Sequence, residues 1–242
     1  MAHSRSARRR ASAVKPPTWY RFRSAVFAGI FGTGFLGGWG VSVAVDGRYL
    51  AAFANLGSHW GERGAATAAG IALATAVAAV ALRVWGASYL SASTVWDENS
   101  HAEGLVKCGP FAFVRHPLYL GNVLLAFGLG AAAPVAGWIF VLAATVLFVT
   151  ALIHYEDNRL EEHHGSTYDA YRRSVPSLMP RLTRVRTVQS VQPSLAQGLR
   201  SEAFTSFLIL GVVGIFVVPR YGAFVFAFCY LLGVVVQRRI EK

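Results

Sequence analysis

Long uncharged segments are the feature of this sequence that most restricts its fold. Six apolar segments are close to the length of a membrane-crossing helix: Ser24–Val45, Ala65–Leu82, the two halves of Tyr119–Thr150, Ala203–Pro219 and Gly222–Val236. Tyr119–Thr150 is too long for one crossing, and Gly130–Pro134 within it predicts a tight turn between two helices. Since about 20 apolar residues span a bilayer as a helix, the pattern predicts an all-α, polytopic membrane protein with about six transmembrane helices.

The composition agrees with a membrane protein. Hydrophobic residues make up 54% of the 242 residues and charged residues 14%, whereas about 25% of the residues are charged in an ordinary soluble domain. The apolar content also excludes intrinsic disorder. The two cysteines, Cys108 and Cys229, are far apart and predict neither a disulfide framework nor a metal-binding pair.

Basic residues are concentrated on one side of the predicted spans. Twenty of the 23 Lys and Arg residues lie in the two termini or in the loops after the second and fourth spans, and the others are Arg48, Arg63 and Arg220. The positive-inside rule then predicts that both termini and the two long loops are cytoplasmic. The net charge of +11 is explained by orientation and by anionic lipid headgroups as partners, so nucleic acid is not needed.

The same features divide the chain into five segments. They are a basic cytoplasmic N-terminal segment (1–23), two transmembrane helices (24–86), a core (87–180), a basic linker on the headgroups (181–202) and a C-terminal transmembrane hairpin (203–242). Small residues four apart, such as Gly34 and Gly38 in the first span and Ala72 and Ala76 in the second, predict close helix packing.

Polar residues beside the spans are the candidates for chemistry in a membrane protein, and the first group precedes the third span. Gly109 and Pro110 predict a turn, and Pro117 predicts a helix start that keeps His116 out of the helical conformation. Arg115 and His116 then lie at the mouth of the third span, where a carboxylate or phosphate can bind. An interfacial arginine that extends to lipid headgroups is the alternative.

The second group follows the fourth span. Glu156 and Asp157 lie at the cytoplasmic end of that helix, where an ordinary solvated acid is the alternative to a binding role. The cluster Glu161–His164 predicts a solvated charged face and no metal site, because adjacent residues point to different sides of a helix and no HExxH occurs. Four residues at helical spacing predict a helix that packs on the membrane surface, namely Leu160, His164, Tyr168 and Tyr171.

Together the two groups resemble the isoprenylcysteine carboxyl methyltransferase family, which is related to the phospholipid N-methyltransferases. The resemblance rests on the pattern G-L-V-x-x-G-P-F-x-x-x-R-H-P-x-Y-x-G, a helical hairpin of about 35 residues, and then E-D-x-x-L-x-x-x-x-G-x-x-Y-x-x-Y-x-x-x-V-P-x-x-x-P. It covers roughly Glu103–Pro180, about a third of the chain. It implies an integral membrane enzyme that binds S-adenosylmethionine at a cytoplasmic pocket.

The resemblance also implies which residues line that pocket. The matching positions are Leu105, Val106, Phe111, Arg115, His116, Pro117, Leu118, Tyr119 and Glu156. Arg115 can pair with the methionine carboxylate of the cofactor and Glu156 can accept from its ammonium, and these two are the predicted catalytic residues. Phe111 and Tyr119 offer flat apolar faces to the adenine and the sulfonium.

The sequence leaves the methyl acceptor open. A carboxylate needs little acid–base help in a site that excludes water, whereas an amine or thiol must lose a proton, for which the candidate bases are His116, His154 and Asp157. Prenylcysteine enzymes carry an arginine about a turn before the acid, but Thr150–His154 contains none, and Glu103 replaces their neutral residue or His. We predict methyl transfer to a membrane-associated acceptor that is anionic at neutral pH, such as a prenylcysteine-like carboxylate, with a phospholipid amine or a small thiol as the alternatives.

Two other functions fit some of these features. An NADPH-dependent membrane reductase similar to the sterol C14-reductases would share a related helical architecture. A membrane scaffold or small-solute permease would fit six spans in a short chain, although the spans hold almost no ionisable residues for an ion-coupled pathway.

Overall fold

The structure of the protein is a computed structural model that describes residues 17–46, 51–90, 105–185, 191–217 and 222–240. Within these ranges the secondary structure is helical, without strands, and the all-α prediction is confirmed. The α-helices are α1 (Thr18–Arg21), α2 (Arg23–Asp46), α3 (Ala52–Ser58), α4 (Gly61–Ala87), α5 (Pro117–Gly128), α6 (Val135–His164), α7 (Ser166–Ser174), α8 (Leu195–Ser201), α9 (Ala203–Val217) and α10 (Gly222–Ile240). Most of the predicted N-terminal segment, together with Arg48, Glu103 and Arg220, lies outside the described residues.

Three of the described helices are long and apolar enough to cross a membrane. They are Arg23–Val45, Arg63–Ala87 and Val135–His164. The apolar helices Pro117–Ala132 and Ala203–Val213 are shorter than about 20 residues. The chain therefore fits a membrane protein, while the number of crossings and the cytoplasmic orientation stay predictions.

The uncharged stretch Tyr119–Thr150 forms a hairpin, as its sequence predicts. Helix α5 ends at Gly128, and a 3₁₀ turn follows over Gly130–Ala132. Pro134 has an extended backbone conformation, and α6 begins at the next residue. A proline at that position cannot continue the preceding helix because it lacks an N–H. Helix α5, the first arm of the hairpin, has 12 residues and is therefore about 18 Å long. It is shorter than the hydrocarbon core of a bilayer, which is about 30 Å thick.

Glycines allow the long helices to approach each other closely. A Cβ added to Gly38 would lie 2.8 Å from the Cα of Gly137, and one added to Gly34 would meet the side chain of Val141. A Cβ added to Gly128 would lie 2.5 Å from the carbonyl oxygen of Ala72. The predicted close packing at the GxxxG pair of α2 is confirmed against α6.

The predicted headgroup linker packs against the protein at both ends. The N–H groups of Arg181 and Val185 donate to the carbonyls of Phe113 and Ala112 at 3.0 and 3.1 Å. Farther along, Ser194 donates to the carbonyl of Ser88 at 2.8 Å, and α8 begins at the next residue. The linker thus holds the start of the C-terminal helices against α4 instead of only lying on a lipid surface.

The helical face predicted from Leu160, His164, Tyr168 and Tyr171 is divided between α6 and α7, and its two tyrosines pack inside the protein. Gly165 has φ +50 and ends α6, which turns the chain back toward the core. Tyr168 and Tyr171 are buried and pack with Leu160 and Val175. The helical spacing of these tyrosines was correctly interpreted, but a glycine in the left-handed region redirects their face inward.

Candidate active site

Two backbone hydrogen bonds join the two segments on which the family resemblance rests. The N–H of Arg115 donates to the carbonyl of Pro176 at 2.9 Å, and that of His116 donates to Ser177 at 3.1 Å. His116 is the non-helical residue before α5, with φ −122 and ψ 65, and Pro117 is the first residue of the helix. The predicted helix start is confirmed, and it fixes Arg115 and His116 beside the chain that follows α7.

Asp157 on α6 binds three side chains at the centre of the site. Arg115 Nη1 donates to Oδ2 at 3.1 Å, and His116 Nε2 lies 2.8 Å from Oδ1. The hydroxyl of Tyr168 also donates to Oδ1 and accepts from Arg115 Nη1 at 3.1 Å. Because these charges are buried, removal of one partner would leave the others uncompensated, and Asp157 therefore orients Arg115 and His116.

The neighbouring carboxylate, Glu156, has a different set of partners. Its Oε1 accepts from the hydroxyl of Tyr20 at 2.7 Å and from the hydroxyl of Tyr119, and its Oε2 lies 3.6 Å from His116 Nδ1. Adjacent residues of a helix point about 100° apart, so Glu156 and Asp157 contact His116 through different ring nitrogens. The imidazole lies between two carboxylates.

The environment of His116 favours its protonated form. Burial lowers the pKa of His116, but hydrogen bonds to Asp157 and Glu156 and their negative charges raise it more, so the net pKa is above its usual value. The ring also stacks on Tyr119, with centroids 5.8 Å apart. An imidazolium held in this way donates to Asp157, is attracted by the charge of Glu156, and is a poor base for an acceptor.

The other two candidate bases are no better placed. His154 is exposed on α6 and pairs with Asn158 at 3.3 Å. Asp157 is already bound by three partners. Tyr168 is not a base either, because burial and its hydrogen bond to Asp157 raise the pKa of the phenol, which stays protonated. A thiol or amine acceptor would therefore need a proton-accepting group other than the three candidates that the sequence suggests.

A cavity of about 980 Å³ opens beside these residues, at the upper end of the volumes of small-molecule sites. All nine residues that the resemblance implies line it: Leu105, Val106, Phe111, Arg115, His116, Pro117, Leu118, Tyr119 and Glu156. Phe27, Phe31 and Phe35, spaced by four residues along α2, form one wall. The cavity thus joins a polar end at the start of α5 to an aromatic wall on a membrane-length helix.

The polar end has donors and acceptors that fit S-adenosylmethionine. Arg115 Nε is buried and has no hydrogen-bond partner among the described residues, so a guanidinium donor is left for a carboxylate. Glu156 offers an acidic oxygen to an ammonium, and Phe111, Tyr119 and Tyr171 supply aromatic surface. Which ligand these residues bind stays a prediction.

Sequence reasoning missed Tyr20, which contacts the cavity-lining Glu156, and two residues of the cavity itself, Arg83 and Glu202. Tyr20 belongs to a segment assigned only to the basic N-terminus, yet it is fully buried against Glu156. Arg83 and Glu202 were assigned to a loop and to the linker, but their side chains are 15% and 1% exposed and form an ion pair at 2.8 Å. The signal for Arg83 was its place within an apolar helix, where a charge is costly without a partner.

No group of three or more potential metal ligands comes together within the described part of the chain. In the Glu161–His164 cluster, Glu161 pairs with Arg172 at the exposed surface and His163 Nδ1 lies 2.9 Å from the carbonyl of Arg159.

Comparison with known proteins supports the resemblance. The family model described as the isoprenylcysteine carboxyl methyltransferase (ICMT) family matches residues 71–162. This segment includes the residues from Leu105 to Glu156 that line the cavity. The predicted family resemblance is therefore confirmed over that part of the chain.

Curated relatives match parts of the chain. Methanethiol S-methyltransferase 2 of Bradyrhizobium diazoefficiens is 43% identical over 84 residues, which cover 34% of this chain and 32% of that protein. Methanethiol S-methyltransferase of Crocosphaera subtropica is 37% identical over 70 residues, which cover 29% and 27%. Nickel-cobalt-cadmium resistance protein NccN of Alcaligenes xylosoxydans xylosoxydans is 34% identical over 106 residues, which cover 43% and 46%. The chain thus spans between about a quarter and a half of these relatives, and no solved structure gives a significant match.

Proposed function

We propose that this protein is an integral membrane methyltransferase that transfers a methyl group from S-adenosylmethionine to a thiol with an apolar substituent. The observation that carries the proposal is the convergence of nine motif residues on one cavity. The family match over residues 71–162 supports methyl transfer as the chemistry.

The described residues suit the cofactor group by group. Arg115 Nε binds the methionine carboxylate, while Asp157 and Tyr168 hold the guanidinium in place. Glu156 accepts from the ammonium, and the Tyr20 and Tyr119 hydroxyls fix the orientation of its carboxylate. When bound, S-adenosylmethionine supplies an electrophilic methyl group on a positively charged sulfur.

A thiol is favoured over a carboxylate as the acceptor. Three guanidiniums line the cavity. Arg83 pairs with Glu202, Arg115 is assigned to the cofactor carboxylate, and Arg23 donates to the carbonyl of Tyr20, so an anionic acceptor would compete for a cation that is already engaged. Two of the relatives are named as methanethiol S-methyltransferases. Both observations favour an acceptor that enters the cavity uncharged.

The aromatic wall favours an acceptor with an apolar part. Phe27, Phe31 and Phe35 face the cavity from α2, and Phe204, Leu208 and Val212 face it from α9. Burial of an alkyl chain against this surface contributes about 0.8 kcal/mol per CH₂ group. We therefore expect catalytic efficiency to rise with thiol chain length until the cavity is filled.

Calorimetry in detergent tests the cofactor assignment. Arg115→Ala and Glu156→Gln should each weaken S-adenosylmethionine binding about 10- to 100-fold, as expected for a lost charge-assisted hydrogen bond. Arg172→Ala and Glu161→Gln, which change an exposed ion pair, should leave binding unchanged. Equal affinity in all four variants would refute the site, and displacement of the cofactor by NADPH would favour the reductase alternative.

Methyl transfer from a labelled cofactor tests the acceptor. The acceptors to compare are ethanethiol, hexanethiol, dodecanethiol, farnesylcysteine and phosphatidylethanolamine. We expect label in the thioethers of the alkanethiols. Label only in a methyl ester or a methylated amine would refute the thiol assignment while retaining the methyltransferase.

A further inference from the structure

A second polar group lines the cavity one helical turn beyond the cofactor motif. Leu118, Asn122 and Leu125 of α5, together with Leu129 just after its end, all line the cavity at a spacing that places them on one face. Asn122 follows Leu118 by four residues and is therefore about 6 Å farther along the axis. The residues beyond it are apolar, so Asn122 marks the boundary between the cofactor end and the apolar part of the cavity.

Arg83 and Glu202 lie at the same level as Asn122, and we call these three residues the polar layer. Arg83 Nε and Nη2 donate to the two carboxylate oxygens of Glu202 at 2.8 and 2.9 Å. Its Nη1 donates to Asn122 Oδ1 and to the carbonyl of Leu118 at 3.1 Å. Gly121 leaves room for this contact, because a Cβ there would collide with the Arg83 side chain.

Such a pair is costly in this position. Arg83 lies within the membrane-length helix Arg63–Ala87, and the Glu202 side chain is almost fully buried. Buried ion pairs add little to stability compared with apolar residues of the same volume, and ionisable residues at membrane depth usually mark functional sites. The polar layer, which also lines the cavity, therefore calls for a chemical role.

We propose that the polar layer is the acceptor subsite, in which Glu202 accepts the proton of the thiol and Arg83 holds the resulting thiolate. This assignment rests on the proposed function, which leaves a thiol without a base. It places the sulfur between the cofactor residues at the start of α5 and the apolar part of the cavity.

The step balances in atoms and charge. The thiol proton goes to a carboxylate oxygen of Glu202, and an electron pair of the thiol sulfur forms the bond to the methyl carbon. The bond between that carbon and the sulfonium sulfur breaks, and its electron pair remains on the donor. The products are a methyl thioether and the neutral thioether of the donor, and Glu202 then releases its proton to water.

The ion pair lowers the cost of forming a thiolate in a dry site. As Glu202 becomes neutral, the thiolate takes over its negative charge beside Arg83, so the net charge around the guanidinium does not change. A thiolate is stabilised beside an arginine, and the attraction is stronger in a low dielectric. Among the described residues, Arg83 is the charged group in contact with Glu202, and Tyr230 of α10 lines the same cavity.

The other acids of the cavity region are committed elsewhere. Asp157 is bound by Arg115, His116 and Tyr168, and Glu156 is bound by two tyrosines and faces the predicted ammonium. The carboxylate of Glu202 accepts one hydrogen bond from Arg83 at each oxygen. A carboxylate has about four acceptor positions, so Glu202 retains capacity for a thiol.

The test is Glu202→Gln, compared with Glu161→Gln as the exposed control. We expect calorimetric binding of S-adenosylmethionine to stay within about twofold of wild type, because the layer lies beyond the cofactor residues. Methylation of an alkanethiol near neutral pH should fall about 100-fold, the lower range for loss of a general base. The remaining rate of the variant should rise about tenfold per pH unit, because more of the thiol is then already ionised in solution. With an acidic aryl thiol as acceptor, the substitution should lower the methylation rate much less than with an alkanethiol.

A second variant covers loss of folding in Glu202→Gln. The double substitution Arg83→Met with Glu202→Met removes both charges and keeps the volume, which buried pairs often tolerate. It should bind the cofactor and show the same dependence on thiol acidity. If either variant methylates alkanethiols at the wild-type rate and pH dependence, or if both lose cofactor binding, the assignment is refuted. Wild-type protein that methylates no thiol would refute the proposed function and this assignment with it.

Discussion

His116 Nε2 and Asp157 Oδ1 lie 2.8 Å apart, and both side chains are at least 93% buried. This contact joins the residue before α5 to the end of α6 that the sequence predicts to be cytoplasmic. Arg115 Nη1 binds the other oxygen of the same carboxylate. One acid therefore sets the position of two predicted cofactor residues. The neighbouring acid Glu156 has other partners, the hydroxyls of Tyr20 and Tyr119.

Asp157→Asn should be strongly destabilising, because it leaves Arg115 and His116 buried without their counter-charge. Loss of one partner of a buried ion pair costs about 3–5 kcal/mol. We expect a lower melting temperature in detergent and weaker S-adenosylmethionine binding, measured by calorimetry. Glu161→Gln, at an exposed acid of the same helix, is the control, and an equal effect in both variants would contradict the prediction.

The stability of the protein should depend on the protonation of His116. Its folded-state pKa is raised above the unfolded value, which is about 6.5. The imidazolium contributes its full stabilisation below that unfolded value, and this contribution is lost as pH rises through the folded-state pKa.

Melting temperatures measured from about pH 6 to pH 9 test this pH dependence. We expect the wild type to lose stability toward alkaline pH and His116→Gln to show a lower and flatter curve. His154→Gln, at an exposed histidine, should follow the wild type. A His116→Gln curve parallel to the wild type would show that the histidine does not titrate in this range.

Tyr20→Phe should weaken cofactor binding without unfolding the protein. The hydroxyl of Tyr20 donates to Glu156 at 2.7 Å, and a hydrogen bond to a charged group contributes about 1.5–3 kcal/mol. We expect S-adenosylmethionine affinity to fall about tenfold in calorimetry. Tyr155→Phe is the matched control, since that ring packs against Tyr20 through aromatic contact, and it should bind as the wild type does.

Gly137→Ala should separate α2 from α6. A Cβ at Gly137 would collide with the carbonyl oxygen of Gly34, and backbone atoms cannot move aside as a flexible side chain can. Overpacking of this kind costs about 1–3 kcal/mol or more. Thermal unfolding in detergent should show the loss, whereas Gly37→Ala, with open space around the added carbon, should not. Unchanged stability in Gly137→Ala would mean that the two helices can move apart freely.

Local features of the site could be predicted because they depend on residues close in sequence. Pro117 begins α5 and keeps His116 non-helical, and Pro134 separates α5 from α6, since proline acts through its own missing N–H and fixed φ. The packing of Gly34 and Gly38 was likewise visible, because only small residues at this spacing let two backbones approach.

Other predictions failed because they depend on partners distant in sequence. The spacing of Tyr168 and Tyr171 was correct, but Gly165 turns their helix inward. Arg83 was counted as a basic loop residue that orients the chain, yet it is paired with an acid 119 positions away. Neither charge nor periodicity indicates which long-range partner a side chain will find.

The apolar helical character of the chain, and the set of motif residues that line one end of the cavity, follow from the sequence alone. Both follow from local rules: uncharged runs must be helical in lipid, and the motif residues lie within two short segments. The tertiary structure decided which charges neutralise each other. It paired Arg115 with Asp157 and Arg83 with Glu202, because in a buried, low-dielectric environment each guanidinium must find a carboxylate, and only the folded helices bring those carboxylates within reach.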